Sequence, residues 1–144
     1  MSKTLILVST ALLSLSVPAS AKTDGAPSRN PASACPVKAT GGDLVERIAA
    51  AIGKSKTCDQ AAKIAESCAF GDSKDLHIAA PADEFCRKTI KDLKPEDKTM
   101  WEALSQKCSD KYDTHQGTMY RSFAAFCRLN VTKLFAELYE PIEE

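Results

Sequence analysis

From Asp43 onward, apolar residues return every three or four positions, the spacing of helices with one face turned inward. Val45, Ile48 and Ile52 share the first such face. Asp43 and Glu46 stand ahead of it at capping-box spacing, and Gly53 lies just past its end. Thr57 and Gln60 repeat the box before Cys58, Ala61, Ala65 and Cys68. The link from Phe70 to Ala80 is the least regular part. Leu76-His77-Ile78 alternates there, but it is too short and isolated to make a sheet. Pro81 suits a first helical position, after which Cys86, Ile90 and Leu93 line up; Pro95 opens the next helix, with Glu96 and Asp97 in its first turn. Trp101, Leu104, Cys108 and Tyr112 form its stripe. Beyond Gly117, with Thr118 as cap, Tyr120, Phe123, Cys127, Val131, Leu134 and Leu138 form the longest stripe of all, ending before Pro141. The pattern predicts an all-α bundle of four or five helices over residues 43–140.

The region before Asp43 reads differently. Lys3, the apolar run from Leu5 to Val17, Pro18 and then Ala19-Ser20-Ala21 match the parts of a cleavable signal peptide over 1–21. The run falls short of the ~20 apolar residues that a membrane span needs. Residues 22–42 are rich in Pro, Gly, Ser and Ala without apolar period, the composition of a flexible leader tied down at Cys35. The expected destination is a bacterial periplasm or the exterior, with no membrane attachment once the signal is removed.

Export changes how the cysteines are read. Cys35, Cys58, Cys68, Cys86, Cys108 and Cys127 all follow the expected cut, and an even count in an exported chain points to three disulfides. A zinc site would need C-x-x-C spacing, which is absent, and only His77 and His115 could add nitrogen ligands. Helices joined by short connections pack antiparallel, which favours sequential pairing: Cys35–Cys58, Cys68–Cys86 and Cys108–Cys127. Each such bridge closes a loop of about twenty residues, worth ~3 kcal/mol in the chain-entropy account.

Charge excludes some classes of function. Lys and Arg number 19 against 19 Asp and Glu, and losing Lys3 tips the balance by one, so nothing attracts nucleic acid or anionic lipid. No nucleophile elbow, zinc-binding helix, phosphate loop or redox C-x-x-C occurs, and no cofactor is implied. The expectation is a protein without catalysis. What stands out is the polar turn between the last two stripes. Asp113, His115, Gln116, Thr118 and the nearby Arg121 form a candidate recognition turn, made rigid by a bridge at its base. That bridge sets a condition. Cys108 lies about four residues before the end of one helix and Cys127 about nine into the next, an offset of roughly 7–8 Å at 1.5 Å per residue. Straight helices with a symmetric turn cannot meet it, so the first helix is expected to run past Tyr112 or the second to start near Arg121. Tyr112 faces Tyr120 or Phe123 in each case.

Trp101 and Cys108, then Gly117-Thr118, Cys127, Thr132 and Leu138 resemble the C-terminal half of the LprI/YecT lysozyme-inhibitor-like group of small exported bacterial proteins. The resemblance implies a helical, cysteine-bearing, non-enzymatic protein whose partner is a lysozyme-like cell-wall lytic enzyme. The D-x-x-L-N-x-x-Y signature of that group is absent, and Cys86 stands where it would carry an aromatic. The alternative expectation is a structural or envelope-stress protein with no dedicated ligand.

Overall fold

The computed structural model describes residues 34–38 and 43–139. The expected signal peptide and most of the expected leader lie outside the described residues. Five α-helices follow one another: α1 (Leu44–Gly53), α2 (Cys58–Ser67), α3 (Leu76–Arg87), α4 (Pro95–Tyr112) and α5 (Thr118–Tyr139), with a short 3-10 turn at Ser73–Asp75 leading into α3. No strand occurs among the described residues. The expected all-α, disulfide-stapled bundle is what forms.

Caps start the first two helices. Asp43 accepts from the backbone N–H of Val45 at 2.8 Å, and Thr57 Oγ1 accepts from that of Gln60 at 3.1 Å. The Gln60 side chain returns to Lys56 N at 2.9 Å, one residue earlier than a capping box would have it. α3 corrects the sequence reading. It begins at Leu76, so Pro81 stands inside it and does not open it. The backbone bond that Pro81 cannot donate would have gone to His77, an exposed residue whose carbonyl water can serve.

The core is built from small and medium side chains. Ile48 and Ile52 of α1, Cys58, Ala61, Ala62 and Ala65 of α2, Ile78, Ala79, Ala82 and Cys86 of α3, and Phe126, Leu129, Phe135 and Ala136 of α5 are all buried together. The alanine stripes let helix axes approach closely. α3 packs on α1, α2 and α5, whereas α4 packs chiefly on α5. α4 buries only Cys108 fully, so it is an arm laid along the body.

That arm explains a second correction. Leu134 and Leu138 are 51 % and 70 % exposed, although they continue the apolar stripe of α5. The buried face of α5 runs instead through Ser122, Ala125, Phe126, Leu129, Thr132, Phe135 and Ala136. Contacts between α4 and α5 pair Tyr112 with Phe123, Cys108 with Cys127, Trp101 with Thr132 and Asp97 with Tyr139. On α4 these residues share one stripe. On α5, Phe123 and Cys127 lie on one side and Thr132 and Tyr139 on nearly the opposite one, so α4 leaves the apolar stripe as it runs along α5. The stripe is covered where α4 lies over it, at Phe123 and Cys127, and emerges at Leu134 and Leu138.

The disulfides join Cys35 to Cys68, Cys58 to Cys86 and Cys108 to Cys127. The third pair is as expected; the first two overturn the sequential pairing. Cys58 opens α2 and Cys68 caps its other end, about 15 Å away along ten residues of helix. Cys86 lies next to the last residue of α3. With α2 and α3 antiparallel, Cys86 comes to the start of α2, where Cys58 is. Cys68 is left at the far end, and the segment Ala34–Lys38 brings Cys35 to it. Val37 packs on the core beside this bridge, and Arg47 of α1 donates to the Lys38 carbonyl.

Candidate functional site

The stapled end of the α4–α5 hairpin is built from the bridge outward. Cys108 and Cys127 hold their Cα atoms 5.6 Å apart. Next to them, Arg128 Nη1 donates to Ser109 Oγ at 3.1 Å, a second tie between the same two turns of helix. Beyond the bridge the aromatic rings stack up in order. Tyr112 meets Phe123 with centroids 5.8 Å apart, Phe123 meets Tyr120 edge-on at 6.1 Å, and Tyr120 carries the His115 imidazole stacked at 4.5 Å. The expected facing of Tyr112 with Phe123 is therefore present.

The expected shift of a helix boundary does not occur: α4 ends at Tyr112 and α5 starts at Thr118, so neither absorbs the offset between the two cysteines. The asymmetry lies in the connection. Asp113 keeps helical angles (φ −69°, ψ −17°) and its N–H donates to Ser109 O at 2.7 Å. His115 N then donates to Tyr112 O at 3.0 Å. The chain thus climbs about one more turn on the α4 side before it reverses. Gly117 makes the reversal at φ +125°, a conformation that a Cβ disfavours even where space exists.

The sequence-predicted residues Asp113, His115, Gln116, Thr118 and Arg121 are all exposed and gather at this one end. Thr114 Oγ1 lies 3.2 Å from His115 Nδ1, which helps to orient the ring. Sequence reasoning missed Met119, which is exposed beside the turn; standing four residues before Phe123 at the edge of the α5 stripe, it reads by periodicity as a packed position and not as a surface one. The surface can offer an amide, hydroxyls, a carboxylate, a guanidinium, an imidazole and one flexible apolar side chain. These groups can donate and accept hydrogen bonds and carry charge of both signs. The six cysteines are placed differently: Cys108 and Cys127 support the turn, and the other four lie in the α1–α3 part of the body.

Two buried polar clusters also escaped the sequence reading. Asp75, 0 % exposed, accepts from Phe70 N at 2.7 Å, Gly71 N at 2.9 Å and Ser122 Oγ at 2.5 Å. Thr132, equally buried, joins Trp101 to Asp83. Their signal was a polar residue at helical spacing from apolar ones. Both are fully partnered within the protein, as structural polar groups are.

Among the described residues, no three His, Cys, Asp or Glu side chains group as metal ligands, and all the cysteines are bridged. No described helix is long and apolar enough to cross a membrane. Compared with protein-family models, curated proteins and solved structures, the chain matches none.

Proposed function

We propose that the chain is an exported, non-catalytic binding protein that presents the Asp113–Thr118 turn and Arg121 to a secreted or periplasmic protein, a lysozyme-like cell-wall lytic enzyme. The observation that carries the reading is the support beneath the turn. A disulfide, a run of three aromatic contacts and a helical continuation of α4 fix the backbone, while the five polar side chains above stay exposed. A surface ordered before it meets its partner loses little further conformational freedom on binding. Arg121 and Tyr120 are of the residue types enriched where binding energy concentrates. The lytic-enzyme partner rests on the resemblance over Trp101–Leu138, and export rests on the residues before Lys22 together with the three bridges.

The test compares wild type with two variants that leave the bridge and the Tyr112–Phe123–Tyr120 contacts intact. One scrambles Asp113–Gln116 with Gly117 retained; the other is Arg121→Ala. Wild type inhibits lysozyme-type hydrolysis of peptidoglycan and retains the enzyme in a pull-down. The variants lose at least about tenfold in affinity, or ~1.4 kcal/mol. Equal behaviour of all three proteins would return the chain to the alternative, a structural envelope protein with no dedicated ligand.

A further inference from the structure

We infer that this chain is a client of a thiol–disulfide isomerase, because two of its three bridges cross in sequence. Cys35–Cys68 and Cys58–Cys86 overlap, so neither joins consecutive cysteines, while Cys108–Cys127 does. A chain emerging N-terminus first into an oxidising compartment exposes Cys35 and Cys58 before Cys68 exists to compete. Loop closure disfavours the native pairs as well. Native separations of 33 and 28 residues close more slowly than Cys35–Cys58 and Cys68–Cys86, by roughly twofold each on n^(−3/2) scaling, and the neighbouring Cys58 and Cys68 close faster than any of these, leaving Cys35 for Cys86. Ordered oxidation of the emerging chain yields the consecutive set.

The fold cannot repair that set by small adjustments. Cys58 and Cys68 occupy opposite ends of α2, about 15 Å apart, and a bridge tolerates about 7 Å between Cα atoms. Cys35 must therefore travel the length of α2 to exchange one partner for the other. Cys58 and Cys86 are both fully buried in the native body, so α2 and α3 cannot close around a Cys58 held by Cys35. Once Cys35–Cys58 and Cys68–Cys86 have both formed, no thiolate is left among these four residues to start an exchange. It must come from outside.

One external thiolate suffices, and the sequence of steps balances without oxidant or reductant. It attacks Cys35, breaking Cys35–Cys58, forms a mixed disulfide and releases the Cys58 thiolate. Cys58 attacks Cys86, forms Cys58–Cys86 and releases the Cys68 thiolate. Cys68 attacks Cys35 of the mixed disulfide, forms Cys35–Cys68 and returns the external thiolate. Only the initial oxidation of six thiols needs an acceptor, a disulfide-bonded oxidant that takes up six electrons and six protons.

The test refolds fully reduced full-length chain in native buffer with a small-molecule disulfide oxidant alone, or with the same oxidant and a thiol–disulfide isomerase. Bridges are mapped by non-reducing proteolysis and mass spectrometry. Oxidant alone is expected to trap non-native pairings of the first four cysteines, Cys58–Cys68 with Cys35–Cys86 or Cys35–Cys58 with Cys68–Cys86, in much of the protein, while Cys108–Cys127 forms in both arms. Isomerase raises the rate of appearance of the native set at least about tenfold. Two variants isolate the crossing: Cys35→Ala with Cys68→Ala, and Cys58→Ala with Cys86→Ala. Each leaves only consecutive bridges, so isomerase dependence disappears in whichever of them folds. Native pairing at equal rate and yield without isomerase would overturn the inference. So would dependence that persists in a folded variant lacking either crossing bridge.

Discussion

The Trp101 indole N–H donates to the Thr132 hydroxyl at 3.1 Å, and this contact closes a ring across three helices. The hydroxyl has one proton. The Asp83 carboxylate takes it at 2.5 Å in preference to the Arg128 carbonyl at 3.1 Å, because the acceptor is charged and nearer. Asp83 also accepts from Arg87 Nε at 2.7 Å, and the Arg87 guanidinium lies 4.9 Å from the centre of the Trp101 ring. α4, with so little buried surface of its own, is thereby pinned to α3 and α5 near its first half as the Cys108 bridge pins its second.

Replacing the Thr132 hydroxyl tests that ring. Thr132→Val keeps the shape but leaves the Trp101 N–H and one Asp83 oxygen without this partner, at a cost of about 1–3 kcal/mol. Thr132→Ser keeps the hydroxyl and loses less. Urea denaturation of the oxidised protein measures both. Equal losses would place the cost in the methyl group.

Asp75 ties the link before α3 to α5, and its three donors have no alternative acceptor in the contacts described above. Asp75→Ala orphans two backbone N–H groups and the Ser122 hydroxyl, with an expected loss of about 3 kcal/mol, while Ser122→Ala loses about 1 kcal/mol. Hydrogen exchange locates the effect. The Phe70 and Gly71 amides exchange faster in Asp75→Ala than in Ser122→Ala, and unchanged protection of these two would contradict the arrangement.

Helical periodicity found α4 and α5 to within a residue, because Pro95, Gly117 and the aromatic stripes are strong local signals. It also gathered the turn residues at one end, since a short connection between antiparallel helices leaves them nowhere else to go. The pairing of Cys68 with Cys86 failed for a reason that was already legible. Two cysteines near the C-terminal ends of antiparallel neighbours lie at opposite ends of the pair, so the antiparallel rule itself selects Cys58 for Cys86. The exposure of Leu134 and Leu138 was not legible. Periodicity gives a face, but not the crossing angle that decides how far along it a neighbour stays in contact. The partners of Thr132 and Asp75 were hidden for a related reason: each contact spans more than thirty residues, except the two amides beside Asp75.

Acid and alkali act on a second cluster, between α2 and α5. Asp59 takes Lys63 at 2.7 Å and Lys133 at 3.1 Å, and Lys133 also reaches Glu137 at 3.6 Å. The hydrogen bond from Lys63 holds the Asp59 carboxyl below its usual range against the opposing effect of burial, and Lys133 adds to it. Burial pulls Lys133 down, but the hydrogen bond and charge of Asp59, with Glu137 and Glu66, outweigh it and leave the amine above its usual range. A lowered carboxyl stabilises the fold above the unfolded pKa of ~3.9, and that stability is lost as pH falls through the folded value. A raised amine stabilises below ~10.4, and its contribution is lost as pH rises through the folded value. Urea midpoints measured against pH therefore fall at both ends. Asp59→Asn flattens the acid limb and Lys133→Met the alkaline one, both modestly, since the ions are partly exposed and salt weakens them. An acid limb unchanged by Asp59→Asn would assign it to other carboxyls.

The staple at Cys108 and Cys127 carries a local prediction as well as a global one. Its 19-residue loop is worth about 3 kcal/mol in the chain-entropy account. Cys108→Ala with Cys127→Ala also removes the one side chain that α4 buries fully. What then holds α4 is the Trp101–Thr132 ring, the bond from Tyr139 to Asp97, the bond from Arg128 to Ser109 and the contact of Tyr112 with Phe123. The first two lie toward the start of the helix and include the fully buried Thr132 hydroxyl, whereas the second half keeps one hydrogen bond to a half-buried serine and one ring contact. The half of α4 from Leu104 to Tyr112 is thus expected to open first, below the energy of global unfolding. Hydrogen exchange of the doubly substituted protein shows it as lost protection in that half, with α1, α2 and α3 still protected at their global limit. Binding by the Asp113–Thr118 turn weakens in parallel, because its backbone then has to be ordered on contact. Uniform loss of protection across all five helices would mean that α4 is no separate arm, and that the turn owes its order to the body as a whole.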